Sequence, residues 1–114
     1  MSEDIRYEAI DFEQHKKLLD ALNKSLGPNV SPSSRHIWSV VLGIGNFLVR
    51  KNMAYGDSAL DPVRIFSRAS TEEQILVRLD DKLSRLKRGS AAGEDVILDL
   101  AGYLILLMVA RSKA

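Results

Sequence analysis

The sequence predicts an all-α protein, a four-helix bundle formed by one domain. Apolar residues recur at spacings of three and four rather than two, which is the period of amphipathic helices. With 114 residues and a hydrophobic fraction of 46%, the chain can build one core, and it has no cysteine for a disulfide or a zinc-thiolate site. We expect a single domain over 1–114, with an N-terminal helix or arm over 1–30 and a helical core over 35–111.

The first predicted helix runs from about Phe12 to Leu26. Asp11, with Gln14 three residues later, has the spacing of a capping box, and Gly27 ends the helix. The segment 28–34 contains two prolines and three serines, so it cannot continue a helix. We therefore expect a linker here, of the length that joins neighbouring helices in a bundle.

The second predicted helix runs from about Arg35 to Met53, with Ser33 or Ser34 as its N-cap. One face carries an apolar stripe, and a second stripe is formed by Trp38, Leu42 and Val49. Two stripes imply two neighbouring helices, or one neighbour and a second subunit.

The third long helix is predicted from Thr71 to Arg88. Ser70 and Glu73 have the spacing of another capping box, and Gly89 marks the stop. Before it, we expect a short turn of helix over 62–66, because this segment opens with a proline, which is favoured at the first helical position.

The fourth predicted helix runs from about Glu94 to Arg111 and is apolar on nearly every side, which predicts a central helix. Its most apolar stretch, 96–110, is shorter than the ~20 residues of a membrane span and contains Asp99. Residues 1–7 carry acids and no apolar signal region. We expect a cytoplasmic protein without a membrane partner.

The overall charge gives little indication of a nucleic-acid partner. The formal net charge is +1, although Arg85, Lys87 and Arg88 cluster together. Tight binding to nucleic acid draws on many cation–phosphate contacts, and a balanced chain offers few. Anion recognition in this protein is therefore expected to be local.

The most informative feature is a pair of carboxylates in the fourth helix. Asp95 and Asp99 are four residues apart and share a face, and Gly102 follows on the same side. A carboxylate in such apolar surroundings is costly unless a cation or hydrogen-bond donors meet it. One interpretation is a metal or ligand site. In the other, Glu94 and Asp95 complement the helix dipole and Asp99 pairs with an arginine.

Cations on the second and third predicted helices could complement these acids. On the third helix, Arg78, Asp81, Lys82 and Arg85 fall at spacings of three and four along one flank, which is also typical of an ordinary solvated face. Late in the second helix, Lys51 projects on the apolar side, where it suits either a phosphate or the helix dipole.

Three blocks of the sequence carry a family resemblance. They are Lys51-Asn52-x-x-Tyr55-Gly56-Asp57-Ser58, the ten residues 77–86, and Glu94-Asp95-x-x-x-Asp99-Leu100-x-x-Tyr103. Together they resemble the phage nucleotide-modification-associated domain family, which is distantly similar to the MazG-type all-α nucleoside triphosphate pyrophosphohydrolases. The resemblance covers about Lys51 to Arg111.

The resemblance implies a MazG-like helical core, a homo-oligomer and Mg²⁺ held by acids from two helices. The metal-binding acids would be Asp81, Glu94, Asp95 and Asp99. This chain departs from the enzymes on the third helix, where Arg78-x-x-Asp81-Lys82 replaces a Glu-x-x-Glu pair. One carboxylate is effectively exchanged for cations.

The leading functional hypothesis is a Mg²⁺-dependent nucleoside triphosphate pyrophosphohydrolase acting in the cytoplasm, the host cytoplasm if the gene is a phage gene. Its catalytic residues would be Asp81, Lys82 and Asp99. The residues expected to bind the nucleotide are Lys51, Asn52, Tyr55, Asp57, Arg78, Lys82 and Arg85.

Two alternatives stay open. With fewer acids than an enzyme needs, the chain could be a counter-defence protein that sequesters a cyclic or signalling nucleotide without hydrolysing it. It could also be an adaptor bundle in which Trp38, Leu42 and Val49 form an oligomer surface.

Overall fold

The computed structural model of the chain describes residues 12–90, 92–93 and 95–113, and of residues 12–14 it describes only the backbone. Four α-helices make up this part of the chain, and it contains no β-strand, which confirms the all-α prediction. The helices are α1 (Phe12–Ser25), α2 (Pro32–Ala54), α3 (Thr71–Arg88) and α4 (Val96–Ser112). They fall into two compact units, one up to Lys51 and one from Asn52 onwards. The predicted single domain stays a prediction.

The first unit contains α1 and most of α2. α1 ends one residue before the predicted Leu26, and Gly27 follows with a left-handed φ of 95°. The Nε2 atom of His15 on α1 lies 3.3 Å from the hydroxyl oxygen of Ser39 on α2, so the two helices contact each other. Asp11, part of the predicted capping box, lies outside the described residues, as does the side chain of Gln14.

α2 begins three residues earlier than predicted. The hydroxyl of Ser31 accepts a hydrogen bond from the amide of Ser34 (3.1 Å), and the carbonyl of Ser31 accepts one from the amide of Arg35 (3.1 Å). Ser31 is therefore the N-cap, and Pro32 takes the first helical position, where the missing N–H costs nothing. The prediction of Ser33 or Ser34 as the cap is wrong, because it treated the proline as a helix breaker.

The segment between α2 and α3 contains no helix, so the predicted turn of helix over 62–66 is wrong. The guanidinium of Arg64 donates hydrogen bonds to the carbonyls of Pro62 (3.4 Å) and Ala69 (3.2 Å) and to the hydroxyl of Thr71 (2.9 Å). These bonds hold an irregular loop, and one isolated turn is too short to offset the cost of helix nucleation. The loop leaves Phe66 fully in solvent, 99% exposed.

α3 has both of its predicted ends. The hydroxyl of Ser70 accepts a hydrogen bond from the amide of Glu73 (3.0 Å), as an N-cap does. At the other end Gly89 adopts a left-handed φ of 69°, which glycine reaches without steric cost, and its amide bonds back to carbonyls of the last turn. α3 therefore begins and ends where local backbone chemistry requires.

α3 and α4 pack as an antiparallel pair. Glu72 at the start of α3 meets Arg111 near the end of α4, and Lys82 further along α3 meets Asp99 near the start of α4. The core between them is a cluster of Ile75, Leu79 and Leu107, to which Leu60, Leu76, Leu100, Tyr103, Leu106 and Ala110 add partly buried surface. Burial of this apolar surface is the main force that holds the two helices together.

α4 is not buried all round, in contrast to the prediction of a central helix. Leu98 and Gly102 are buried, whereas Ile97 and Met108 are 80% and 69% exposed. Among the described residues, no helix combines the length and the apolar character that a membrane span requires.

Candidate functional site

The candidate site is centred on an ion pair between α3 and α4. The Nζ atom of Lys82 lies 3.3 Å from Oδ2 of Asp99, and the two side chains are only 16% and 13% exposed. The pair stands beside the apolar core, where each charge alone would be costly. Its two members neutralise each other in a place that water reaches only partly.

Local helix geometry places both members of this pair. Lys82 follows Leu79 by three residues on α3, so it lies on the side of the helix that packs against α4. Asp99 lies in the first turn of α4, and its amide donates to the carbonyl of Asp95 (3.0 Å). Gly102, three residues further on, is buried on a neighbouring side and adds no side chain there.

Asp95 caps α4 in the structure, and the metal or ligand role expected from its spacing to Asp99 stays a prediction. It is the N-cap of α4, and one of its carboxylate oxygens accepts a hydrogen bond from the amide of Leu98 (3.0 Å). This is the arrangement of the alternative interpretation, in which an acid complements the positive end of the helix. Glu94, the other acid predicted at this end, lies outside the described residues.

The remaining charges of the α3 flank are more exposed. Oδ2 of Asp81 lies 3.2 Å from Nε of Arg85, one turn along the same helix, and these side chains are half-exposed. Arg78 is exposed one turn before Lys82. Lys82 of this flank forms an ion pair with Asp99 of α4.

The described carboxylates do not fit a Mg²⁺ ion in this arrangement. Magnesium needs one or more free carboxylates in an octahedral oxygen shell. Asp81 is paired with Arg85, Asp95 caps its helix and Asp99 is paired with Lys82. Within the described part of the chain, no three histidine, aspartate or glutamate side chains lie close enough together to hold a metal ion. The magnesium prediction also counts Glu94 and stays a prediction.

The residues predicted to bind the nucleotide at the end of α2 make local contacts. The Nζ atom of Lys51 lies 5.3 Å from the ring centroid of Phe47, within cation–π range. The side-chain amide of Asn52 donates a hydrogen bond to Oδ1 of Asp57, and the amide of Asp57 donates to the carbonyl of Asn52 (3.1 Å). Tyr55 between them is exposed.

These contacts form a closed turn at the end of the helix. Asp57 adopts a left-handed φ of 61°, which aspartate and asparagine tolerate better than other non-glycine residues. Its carbonyl accepts hydrogen bonds from the amides of Leu60 (3.0 Å) and Asp61 (2.8 Å). Asn52 and Asp57 therefore have a structural role in this turn, and ligand binding by Lys51, Asn52, Tyr55 and Asp57 stays a prediction.

Sequence reasoning missed a second link between α3 and α4. The Nε and Nη2 atoms of Arg111 both donate to Oε1 of Glu72, at 2.9 and 2.8 Å. The signal was available, since an acid in the first turn of one helix meets a base in the last turn of its antiparallel neighbour. Of the residues expected to form an oligomer surface in the adaptor alternative, Val49 is exposed and Trp38 and Leu42 are partly buried, and that alternative stays a prediction.

Comparisons with protein-family models, with curated proteins and with solved structures gave no significant match.

Proposed function

We propose that the chain binds a nucleotide through its phosphate groups and ribose, at the flank of α3 and α4 that carries Lys82 and Asp99. The observation that carries this proposal is the Lys82–Asp99 ion pair, held mostly out of water between two helices. Replacing such a pair by apolar side chains of similar volume is often neutral or stabilising. Stability alone therefore does not explain why the pair is present.

The chemistry of the flank suits a nucleotide. Arg78 and Arg85 lie one turn before and one turn after Lys82 on α3, so three cations follow one another along the helix. Guanidinium and ammonium groups bind phosphate oxygens through charge-assisted hydrogen bonds. A phosphate that contacts Lys82 would compete with Asp99 for it, and the carboxylate of Asp99 could then accept a hydrogen bond from a ribose hydroxyl.

The arrangement supports binding without a metal better than hydrolysis. Each described carboxylate of the predicted magnesium site already has a partner within the protein. We therefore favour a protein that sequesters a nucleotide over a magnesium-dependent enzyme. The nucleotide would be, for example, a cyclic or signalling nucleotide.

The second candidate is the Mg²⁺-dependent pyrophosphohydrolase. It is supported by Asp95 and Asp99, which lie at the start of α4. The two acids follow one another in the same order as those of the acidic motif in the MazG-type enzymes. Both candidate functions assume a MazG-like helical bundle that assembles from several copies in the cytoplasm.

One experiment separates the two candidates. The purified protein is titrated by calorimetry with nucleoside triphosphates and cyclic nucleotides, once in EDTA and once in Mg²⁺, and pyrophosphate release is measured in parallel. We expect binding in EDTA without turnover. We also expect Lys82→Gln to weaken binding by about 10-fold or more, since a charge-assisted hydrogen bond contributes roughly 1.5–3 kcal/mol.

Lys87→Gln is the matched control, because Lys87 is an exposed cation of α3 outside the set expected to bind the nucleotide. It should bind like the wild type. No binding of any nucleotide in either buffer would defeat the proposal, and binding with pyrophosphate release only in Mg²⁺ would favour the enzyme.

A further inference from the structure

The proposed nucleotide site contains a negative charge as well as cations. Oδ2 of Asp99 lies 3.3 Å from Nζ of Lys82, and the side chain of Asp99 is only 13% exposed. A phosphate group that contacts the ammonium group of Lys82 therefore comes close to a carboxylate of the same sign. Because water reaches this place only partly, the repulsion between the two anions is weakly screened. Phosphate alone is therefore expected to bind poorly, although Arg78 and Arg85 lie on the same flank.

The carboxylate of Asp99 also needs hydrogen-bond donors. An ionised carboxylate only accepts hydrogen bonds, and a phosphate group offers mainly acceptors. A ligand that draws Lys82 towards its phosphate weakens the contact of this lysine with Asp99. A site rejects a ligand that leaves one of its partly buried polar groups without a partner. The preferred ligand is therefore one that places hydroxyl groups beside its phosphate.

We propose that Asp99 selects ribonucleotides in which the 2′ and 3′ hydroxyls are both free. The two oxygens of one carboxylate can accept a hydrogen bond from each of these neighbouring hydroxyls. An acidic side chain binds a ribose hydroxyl by the same chemistry in dinucleotide-binding folds. A nucleoside 5′-phosphate carries its phosphate and its diol on one sugar, so a single ligand can contact both Lys82 and Asp99.

This inference rests on the proposed nucleotide-binding function and narrows the class of ligand. It disfavours inorganic phosphates, which lack a neighbouring pair of hydroxyl donors, and it ranks deoxyribonucleotides below ribonucleotides. A 3′,5′-cyclic mononucleotide also ranks lower, because its 3′ oxygen is esterified. Among signalling nucleotides, those that keep a free diol are therefore favoured.

The first test compares ligands that differ only in their hydroxyls. The wild-type protein is titrated by calorimetry in EDTA with the ribonucleoside triphosphates of the four common bases, with their 2′-deoxy and 2′,3′-dideoxy forms, and with tripolyphosphate. We expect loss of one hydroxyl to weaken binding by about 10-fold and loss of both by about 100-fold, the equivalent of about 1.4 and 2.8 kcal/mol. Tripolyphosphate should bind no better than the dideoxy forms.

The second test reverses the preference with Asp99→Asn. The neutral amide no longer repels phosphate and holds the hydroxyls less strongly. Binding of tripolyphosphate should therefore strengthen by about 10-fold, and the ratio of ribonucleotide to dideoxynucleotide affinity should fall below about 10. Asp80→Asn is the matched control and should keep the wild-type ratio, because Asp80 is an exposed acid that projects about 160° away from Lys82 on α3.

The outcomes separate this inference from the proposed function. Equal affinity of the wild type for ribonucleotides and their dideoxy forms would overturn the selection by Asp99 and leave nucleotide binding intact. An Asp99→Asn variant that loses affinity for every ligand by the same factor would show a merely structural role and would also overturn it. No binding of any ligand would defeat the proposed function itself. The ratio between ligands does not depend on the folded fraction, so a less stable variant still gives an answer.

Discussion

Removal of one partner of the Lys82–Asp99 pair should destabilise the protein, and removal of both should not. Lys82→Met leaves the carboxylate of Asp99 without this cation in a place that is 13% exposed, and Asp99→Leu removes the carboxylate that lies 3.3 Å from the Nζ atom of Lys82. The double variant replaces the pair by two apolar side chains of similar size.

The magnitude follows from the geometry of the pair. Two unit charges 3.3 Å apart attract by about 5 kcal/mol at an effective dielectric constant near 20, and partial desolvation of both groups offsets much of this. Breaking a fully buried pair costs roughly 3–5 kcal/mol, and an exposed pair contributes about 0–1 kcal/mol. Because water still reaches both groups, we expect each single variant to lower the free energy of unfolding by about 2 kcal/mol.

The double variant Lys82→Met/Asp99→Leu is the critical measurement. It should lie within about 1 kcal/mol of the wild type, which gives a coupling energy of about 3–5 kcal/mol between the two positions. The assay is urea denaturation followed by circular dichroism at 222 nm. Single variants that cost less than about 0.5 kcal/mol, or a double variant less stable than both singles, would refute the reasoning.

Three further predictions concern the α3–α4 pair and use the same denaturation assay. Ile75→Ala should cost about 3 kcal/mol because Ile75 is almost fully buried, whereas Val77→Ala on the exposed side should stay within about 0.5 kcal/mol; equal costs would place the core elsewhere. Arg111→Ala should cost less than about 1 kcal/mol, because its contact with Glu72 is exposed, and 1 M salt should remove most of that difference. Ser70→Ala should cost about 1 kcal/mol through the lost N-cap, and a neutral result would show that the amide of Glu73 has another acceptor.

The positions of the helices could be predicted where local chemistry decides them. Ser70 and Gly89 determine the ends of α3 through a side-chain cap and a left-handed backbone, and both residues are visible in the sequence. The start of α2 was harder to predict than the ends of α3, because Ser31, Ser33 and Ser34 are all good N-caps. The choice among them depends on accepting Pro32 as the first helical residue.

The site could be predicted less completely, because it depends on how α3 turns about its own axis against α4. Asp81 and Lys82 are neighbours in the chain, but they project about 100° apart, and the packing of Ile75 and Leu79 directs the lysine towards Asp99. The sequence indicates that Asp99 needs a counter-charge, but it does not indicate which cation supplies it.

The predicted helical turn in the loop before α3 was wrong for a similar reason. The proline at its start favours a helix locally, whereas the three hydrogen bonds of Arg64 hold an irregular path. These bonds reach as far as Thr71, so a reading limited to a few neighbouring residues does not find them.

The two ion pairs between α3 and α4 also fix the alignment of the helices along their length. A slip of α4 by one helical turn would move it about 5.4 Å along α3. The same slip would pull Lys82 away from Asp99 and Arg111 away from Glu72 at once, and the first separation would cost more because water reaches those two side chains only partly. The polar contacts thus favour the observed alignment of α3 and α4 in addition to the apolar core.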